Sequence, residues 1–298
     1  MAKISVVINA QNQERDLSRS ISSVKNFADE VVVIDQESTD KTAEVAKKLG
    51  AKVFEHKRVP FVELARNYSI SKTSGDWVLV LDPDEEVSDK LAATLKDIVK
   101  KPQADYFRIP RKNIIFDKWM KNSRWWPDFN IRFFKKGKVS WNEVIHSVPM
   151  TEGKGLDLPA EEDNSIIHHH YQTVEEFIDR MNRYTTQQAE LKIKEGYDFS
   201  WKDLLTKPVD EFLSRYFYGR GYKDGMHGLS LALLQGFSEL VLYLKVWQNK
   251  KFVNYPINLN DISGVVENKE KDIHYWISDS KYNETGKLID RIKRRLKV

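Results

Sequence analysis

Apolar residues along the first third of the chain fall into short blocks that alternate between two periods. Residues 4–8 form a β-branched, largely apolar run, and Leu17, Ile21 and Val24 then recur at helical spacing. Residues 31–34 are a second apolar run ending at Asp35. Ser38, Thr39 and Asp40 offer N-cap chemistry to a helix carrying Ala43, Ala46 and Leu49, and Gly50 stops it. A third short strand at 52–55, a helix over 61–71 and a fully apolar strand over 77–81 follow. Strands and helices alternating four times in one stretch predict parallel βαβ units with right-handed crossovers, hence an α/β fold with a mainly parallel central sheet flanked by helices.

The chemistry concentrates where the fourth run ends, in GDWVLVLDPDEE at residues 75–86. An apolar strand that delivers carboxylates to the edge of a parallel sheet puts them where α/β proteins bind ligands. On a continuing strand Asp82 and Asp84 would share one face, and Pro83 between them turns the chain outward. Glu85 and Glu86 read instead as the acidic first turn of a helix over 88–99. The first βα loop, AQNQER, has no glycine, and neither G-x-G-x-x-G nor G-x-x-x-x-G-K-[ST] occurs, which argues against a Rossmann dinucleotide site and a P-loop.

Beyond residue 101 the pattern changes. Residues 106–109 predict another strand, and residues 119–141 are crowded with aromatic and basic side chains, with a hairpin expected at Lys135-Lys136-Gly137-Lys138. Trp125 and Trp126 are either core wedges or a platform for a sugar ring or lipid headgroup, since neighbours on a strand face opposite ways. His168, His169 and His170 follow the pair Ile166-Ile167 and precede a helix starting near Val174. His168 is a candidate metal or phosphate ligand; a surface tract beside Glu161, Glu162 and Asp163 is the alternative.

Past Gly196 two helical stripes appear, Val209 to Phe217 and Leu229 to Trp247, readable as a packed hairpin or as a pair lying in a membrane surface. The expected division is a domain at 1–195 and a C-terminal helical region at 196–298. No segment is expected to cross a membrane, the longest uncharged run, 225–238, being 14 residues. The N-terminus reads as a strand, not a signal peptide. The chain has no cysteine, which removes disulfides and thiolate chemistry and suits a reducing compartment. Net charge is only +4, but residues 287–298 hold six Lys or Arg against Asp290, a solvated helix end or a contact with an anionic surface.

Taken together, ISVVINAQNQER, VVVIDQESTDKT, ELARNYSI and GDWVLVLDPDEE resemble, in order, the family 2 glycosyltransferases of the GT-A fold. WWPDFNIRFF, the His146 region and HHHYQTVEEFIDRMNRYT resemble the branch with WaaE-type lipopolysaccharide-core glucosyltransferases. The resemblance implies an inverting, metal-dependent hexosyltransferase using a nucleotide-sugar donor, UDP-linked first of all, and a saccharide or lipid-linked acceptor of the cell envelope. It implies Asp35 at the nucleobase, Arg66 at the nucleotide, Asp82 near ribose and sugar, and Asp84 on Mn2+ or Mg2+. Asp128 and Glu143 are the candidate bases, and Trp125, Trp126 and His146 the candidate acceptor contacts. Gln13 stands where the family usually has an acidic residue, Gln36-Glu37 replaces a small pair, and Ser147 replaces a glutamate after His146. The location expected is cytoplasmic, peripheral on the inner membrane face, with no nucleic-acid partner. The competing readings are a catalytically silent nucleotide-sugar-binding scaffold and a nucleotidyltransferase.

Overall fold

A computed structural model describes residues 2–142 and 149–297. The expected βαβ series is present: β1 (Ile4–Ala10), α1 (Leu17–Val24), β2 (Glu30–Asp35), α2 (Thr42–Lys48), β3 (Lys52–Glu55), α3 (Glu63–Ser71) and β4 (Trp77–Leu81). The chain continues through β5 (Glu85–Val87), α4 (Asp89–Lys100), β6 (Tyr106–Ile115), β7 (Lys118–Trp119) and β8 (Asp128–Lys135). Then come β9 (Val139–Ser140), β10 (Met150–Thr151), β11 (Gly155–Asp157) and β12 (Ile166–Tyr171). Five helices close it: α5 (Val174–Lys194), α6 (Asp203–Leu213), α7 (Met226–Asn249), α8 (Leu259–Thr285) and α9 (Leu288–Leu296).

The main sheet runs β3-β2-β1-β4-β8-β6-β12-β5, with β11 added to β6. Pairing is parallel from β3 to β4 and turns antiparallel where β8 enters beside β4. β1 and β4 are buried along their whole length, as strands covered on both faces must be, which is why they read as unbroken apolar runs. Their side chains divide between two cores. Val6, Ile8, Leu79 and Leu81 pack with α1 and α4, while Val7, Val78 and Val80 pack with Ile70 and Trp141.

The chain divides into two units, Met1–Ile114 with Trp126–His170, and Ile115–Trp125 with Tyr171–Val298. The boundary expected at residue 195 therefore falls inside the second unit, which takes in α5 and the segment before Trp126. That segment was indistinguishable by composition from the strand region around it. Within this unit α6 and α7 pack on each other so closely that Gly236 lies against the Pro208 carbonyl, the packed-hairpin arrangement. α7 still leaves Met226, Leu233, Phe237 and Leu244 exposed along one line. Among the described residues it is the one helix long and apolar enough, by length and composition, to cross a membrane.

Two local expectations are corrected. Glu85 and Glu86 open a strand, not a helix, because β5 pairs with β12 (Glu85 opposite His168) and α4 begins only after Ser88, whose hydroxyl accepts from the Leu91 amide. The turn at Gly137 does not make a β8–β9 hairpin: β8 is taken by β4 and β6, and β9 pairs with β10.

Candidate active site

The carboxyl ends of β1, β2 and β4 lie side by side, with Ala10 opposite Asp35 and Ile8 opposite Leu81. The chain leaving Leu81 turns over Asp82, Pro83 and Asp84 before re-entering the sheet as β5. The two aspartates therefore sit on a turn, not on a continuing strand. Glu85 locks the turn, its Oε2 accepting from the Asp82 amide at 2.9 Å while its own amide donates to the Asp82 carbonyl at 3.0 Å.

Asp82 is gripped from both sides. Arg66 on α3 donates to Oδ1 at 2.5 Å and Arg132 on β8 donates to Oδ2 at 2.6 Å. The same Arg132 nitrogen reaches Oε1 of the fully buried Glu85 at 2.7 Å, and Arg111 on β6 reaches that oxygen at 3.2 Å. Arg111 goes on to hold Asp128 through Nε at 2.8 Å and Nη2 at 2.6 Å. Three arginines and three carboxylates thus alternate along one chain of ion pairs. Burial raises the Asp82 pKa, but Arg132 and then Arg66 outweigh it and hold the carboxyl well below the usual range. Asp128 is lowered in the same sense: burial opposes, and the Arg111 charge wins, with Asn113 and Asn130 donating as well. Both carboxylates are ionised at neutral pH.

A second line of contacts leads from Asp128 to Asp84. Asn113 Nδ2 donates to Asp128 at 3.2 Å, so its Oδ1 faces the other way and meets His168 Nδ1 at 2.6 Å. An amide oxygen only accepts, so Nδ1 carries a proton and the ring presents Nε2 on the side away from Asn113. That nitrogen lies 3.5 Å from Asp84 Oδ2 and 3.2 Å from His170 Nδ1. Beside it His169 Nε2 meets Glu86 at 2.7 Å, and its amide donates to the Asp84 carbonyl at 2.9 Å. Among the described residues no cluster of three or more His, Asp or Glu ligands forms a ready cation cage. One carboxylate and one oriented imidazole remain, a set that suits a cation whose other ligands come from phosphate and water.

Around the strand ends several buried polar atoms have no protein partner among the described residues: Asn9 Nδ2, Asp35 Oδ1, Arg66 Nη1 and Arg132 Nε. Asn9, Asp35 and Arg66 are each at least nine-tenths buried. A buried polar atom without a partner costs free energy comparable to a lost hydrogen bond, so three of them near one sheet edge mark a place built for a polar ligand.

A chain of this kind has close counterparts. The family model for glycosyl transferase family 2 matches residues 5–151. An uncharacterized glycosyltransferase of Rickettsia typhi is 30% identical over 290 residues, covering 91% of this chain and 98% of that protein. The chain belongs to glycosyl transferase family 2. The glycosyltransferase is also 22% identical to the lipopolysaccharide core biosynthesis glycosyltransferase LpsC of Rhizobium meliloti, over 87% of its own length and 96% of LpsC. Among solved structures, glucosyl-3-phosphoglycerate synthase of Mycobacterium tuberculosis, crystallised with Mn2+ and UDP, is 26% identical with a TM-score of 0.33. That likeness covers 38% of this chain and less than half, 44%, of the mycobacterial one.

The fold brings five of the anticipated residues of the glycosyltransferase into one network: Arg66, Asp82, Asp84, Asp128 and His168. Asp35 stands at the end of β2, outside that network, and Trp126 belongs to the same unit. Trp125 belongs to the second unit, packed in the cluster of Ile115, Met120 and Phe177 with the Arg215 guanidinium 5.5 Å from its ring. Glu143 and His146 lie outside the described residues. Arg132, Arg111, Asn113 and Glu85 were not anticipated. A signal for the first three was available, since Asp128-Asn130-Arg132 and Arg111-Asn113 are polar at a spacing of two, which puts each set on one face of its strand.

Proposed function

We propose that this glycosyltransferase inverts the anomeric centre of a hexose as it transfers it from a UDP-sugar to a saccharide or lipid-linked acceptor of the cell envelope, working at the cytoplasmic face of the membrane. The observation that carries the reading is the approach of the His168 imidazole to Asp84, Nε2 lying 3.5 Å from Oδ2, beside an ion-paired Asp82 and the partnerless Asp35 Oδ1 and Arg66 Nη1. A buried carboxylate oxygen suits a nucleobase N–H, and a buried guanidinium nitrogen suits a phosphate oxygen. Asp82, held ionised and immobile, accepts from ribose or sugar hydroxyls. Asp84 and His168 would hold Mn2+ or Mg2+, which when bound supplies charge neutralisation to the departing diphosphate. The similarity to LpsC supports an acceptor in lipopolysaccharide core. Trp126 and His146 are the proposed acceptor contacts, Trp125 being packed into the apolar cluster of the second unit.

Inversion needs a carboxylate opposite the leaving group to take the proton of the attacking hydroxyl. Asp128 is ionised as this requires, but Arg111 and two asparagines already occupy its oxygens, which lowers its basicity. Glu143 is the other candidate. Calorimetric titration with UDP, with and without Mn2+, tests the donor site: metal-dependent binding that disappears in Asp84→Ala is expected, and binding indifferent to both metal and substitution would refute the metal assignment. No binding of UDP or GDP under any condition would favour a silent scaffold. With donor binding established, Asp128→Asn and Glu143→Gln identify the base, whose loss lowers turnover by about 10²–10⁴-fold while UDP affinity stays.

A further inference from the structure

The last helix is built the wrong way round for a helix of a globular protein. In α9 Leu288, Ile292 and Leu296 recur one turn apart with Ile289 beside them, so they form a single stripe. A surface helix normally turns such a stripe inward. Here the four residues are 65%, 46%, 66% and 56% exposed, in the order given.

The helix is held instead by its polar side. Asp290 is buried and accepts from the Thr285 hydroxyl at 3.2 Å, and Arg294 binds Asp279 at 2.7 Å while lying over the Tyr282 ring. Lys297 completes the attachment at Asp272, 3.5 Å away. Gly286, at φ +67°, makes the tight turn that folds α9 back onto α8. Three cations remain without an ion pair among the described residues, Arg291, Lys293 and Arg295, and at helical spacing they flank the apolar stripe.

From this arrangement we infer that α9 is an interfacial membrane helix that lies in the surface of an anionic bilayer, apolar stripe inward and the three flanking cations among the headgroups. Nine residues reach only about 13 Å, far short of the roughly 30 Å hydrocarbon layer, so the helix lies on the membrane and does not span it. The charges select this occupant over a second copy of the chain. A two-fold pairing of α9 with itself would bring two sets of cations together, whereas anionic headgroups complement them. The inference is independent of the donor site.

The test uses the full chain with vesicles of phosphatidylcholine alone or mixed with phosphatidylglycerol. Co-sedimentation with the mixed vesicles, weakened by salt, is expected, with little on phosphatidylcholine. Ile289→Asp with Ile292→Asp should abolish it, and Arg291→Gln, Lys293→Gln and Arg295→Gln together should lower partitioning by about a hundredfold. Circular dichroism and thermal melting of both variants, matched to wild type, verify that they are folded. Because the chain has no cysteine, Ile292→Cys can carry a single environment-sensitive dye, whose emission should shift to the blue with mixed vesicles. Absence of binding, binding indifferent to Ile289→Asp with Ile292→Asp, or a dimer in sedimentation velocity that those substitutions dissolve would each overturn the inference.

Discussion

Arg132 decides the electrostatics of the candidate site. It is 7% exposed, and one of its nitrogens serves both Asp82 and Glu85. Burial by itself lowers its pKa, but the two carboxylates more than restore it, so the guanidinium stays charged. Arg132→Met removes that charge and leaves Glu85 buried with Arg111 alone. Breaking a buried pair from one side costs about 3 kcal/mol or more, which urea unfolding at neutral pH would register. The pH dependence has a definite sign. Asp82 has a lowered pKa in the folded state, so its contribution is present above the unfolded value of about 4 and is lost as pH falls through the folded value. The stability gap between wild type and Arg132→Met should therefore narrow below about pH 4; a gap constant down to acid unfolding would show that the Asp82 pair is not its source.

At the scale of elements, the site depends on strands whose polar faces alternate and on a turn that a buried side chain closes. β6 and β12 each send residues two apart toward the network, Arg111 with Asn113 and His168 with His170, and β8 sends Asp128 and Arg132, four apart on the same face. In the second unit the backbones approach closely at the start of α7, where a Cβ on Gly228 would stand 1.8 Å from the Gly221 carbonyl oxygen. Backbone cannot yield as a flexible side chain does. Gly228→Ala should destabilise the protein by about 3 kcal/mol despite improving helix propensity, and an unchanged melting temperature would contradict the close approach.

For the whole molecule, the two units carry different duties. The first holds Asp35, Arg66, Asp82, Asp84 and His168, the residues proposed for donor and metal, and the second carries the apolar helices and α9. UDP should therefore slow amide hydrogen exchange at the ends of β1, β2 and β4 and at the start of α3, while α8 keeps its rate. Protection gained equally along α8 would mean that nucleotide is bound elsewhere or that the units open as one.

The sequence by itself determined the βαβ order, the strand-end position of Asp35 and Asp82, and the family, because buried parallel strands and amphipathic helices write their periods directly into the chain. It also marked His168 as a candidate, through a histidine tract set after two β-branched residues. It did not reveal the long helix α8, whose apolar residues are sparse among charges, nor the assignment of α5 and residues 115–125 to the second unit. It read Glu85 as a helix start, since an acidic pair before a serine cap looks alike whether the chain coils or pairs. Only the tertiary structure decided that Glu85 is buried between Arg132 and Arg111, that Asn113 orients the ring of His168, and that α9 turns its apolar stripe outward. Each of these depends on partners 26 or more positions away, or on which side of a helix is docked, and local pattern carries neither.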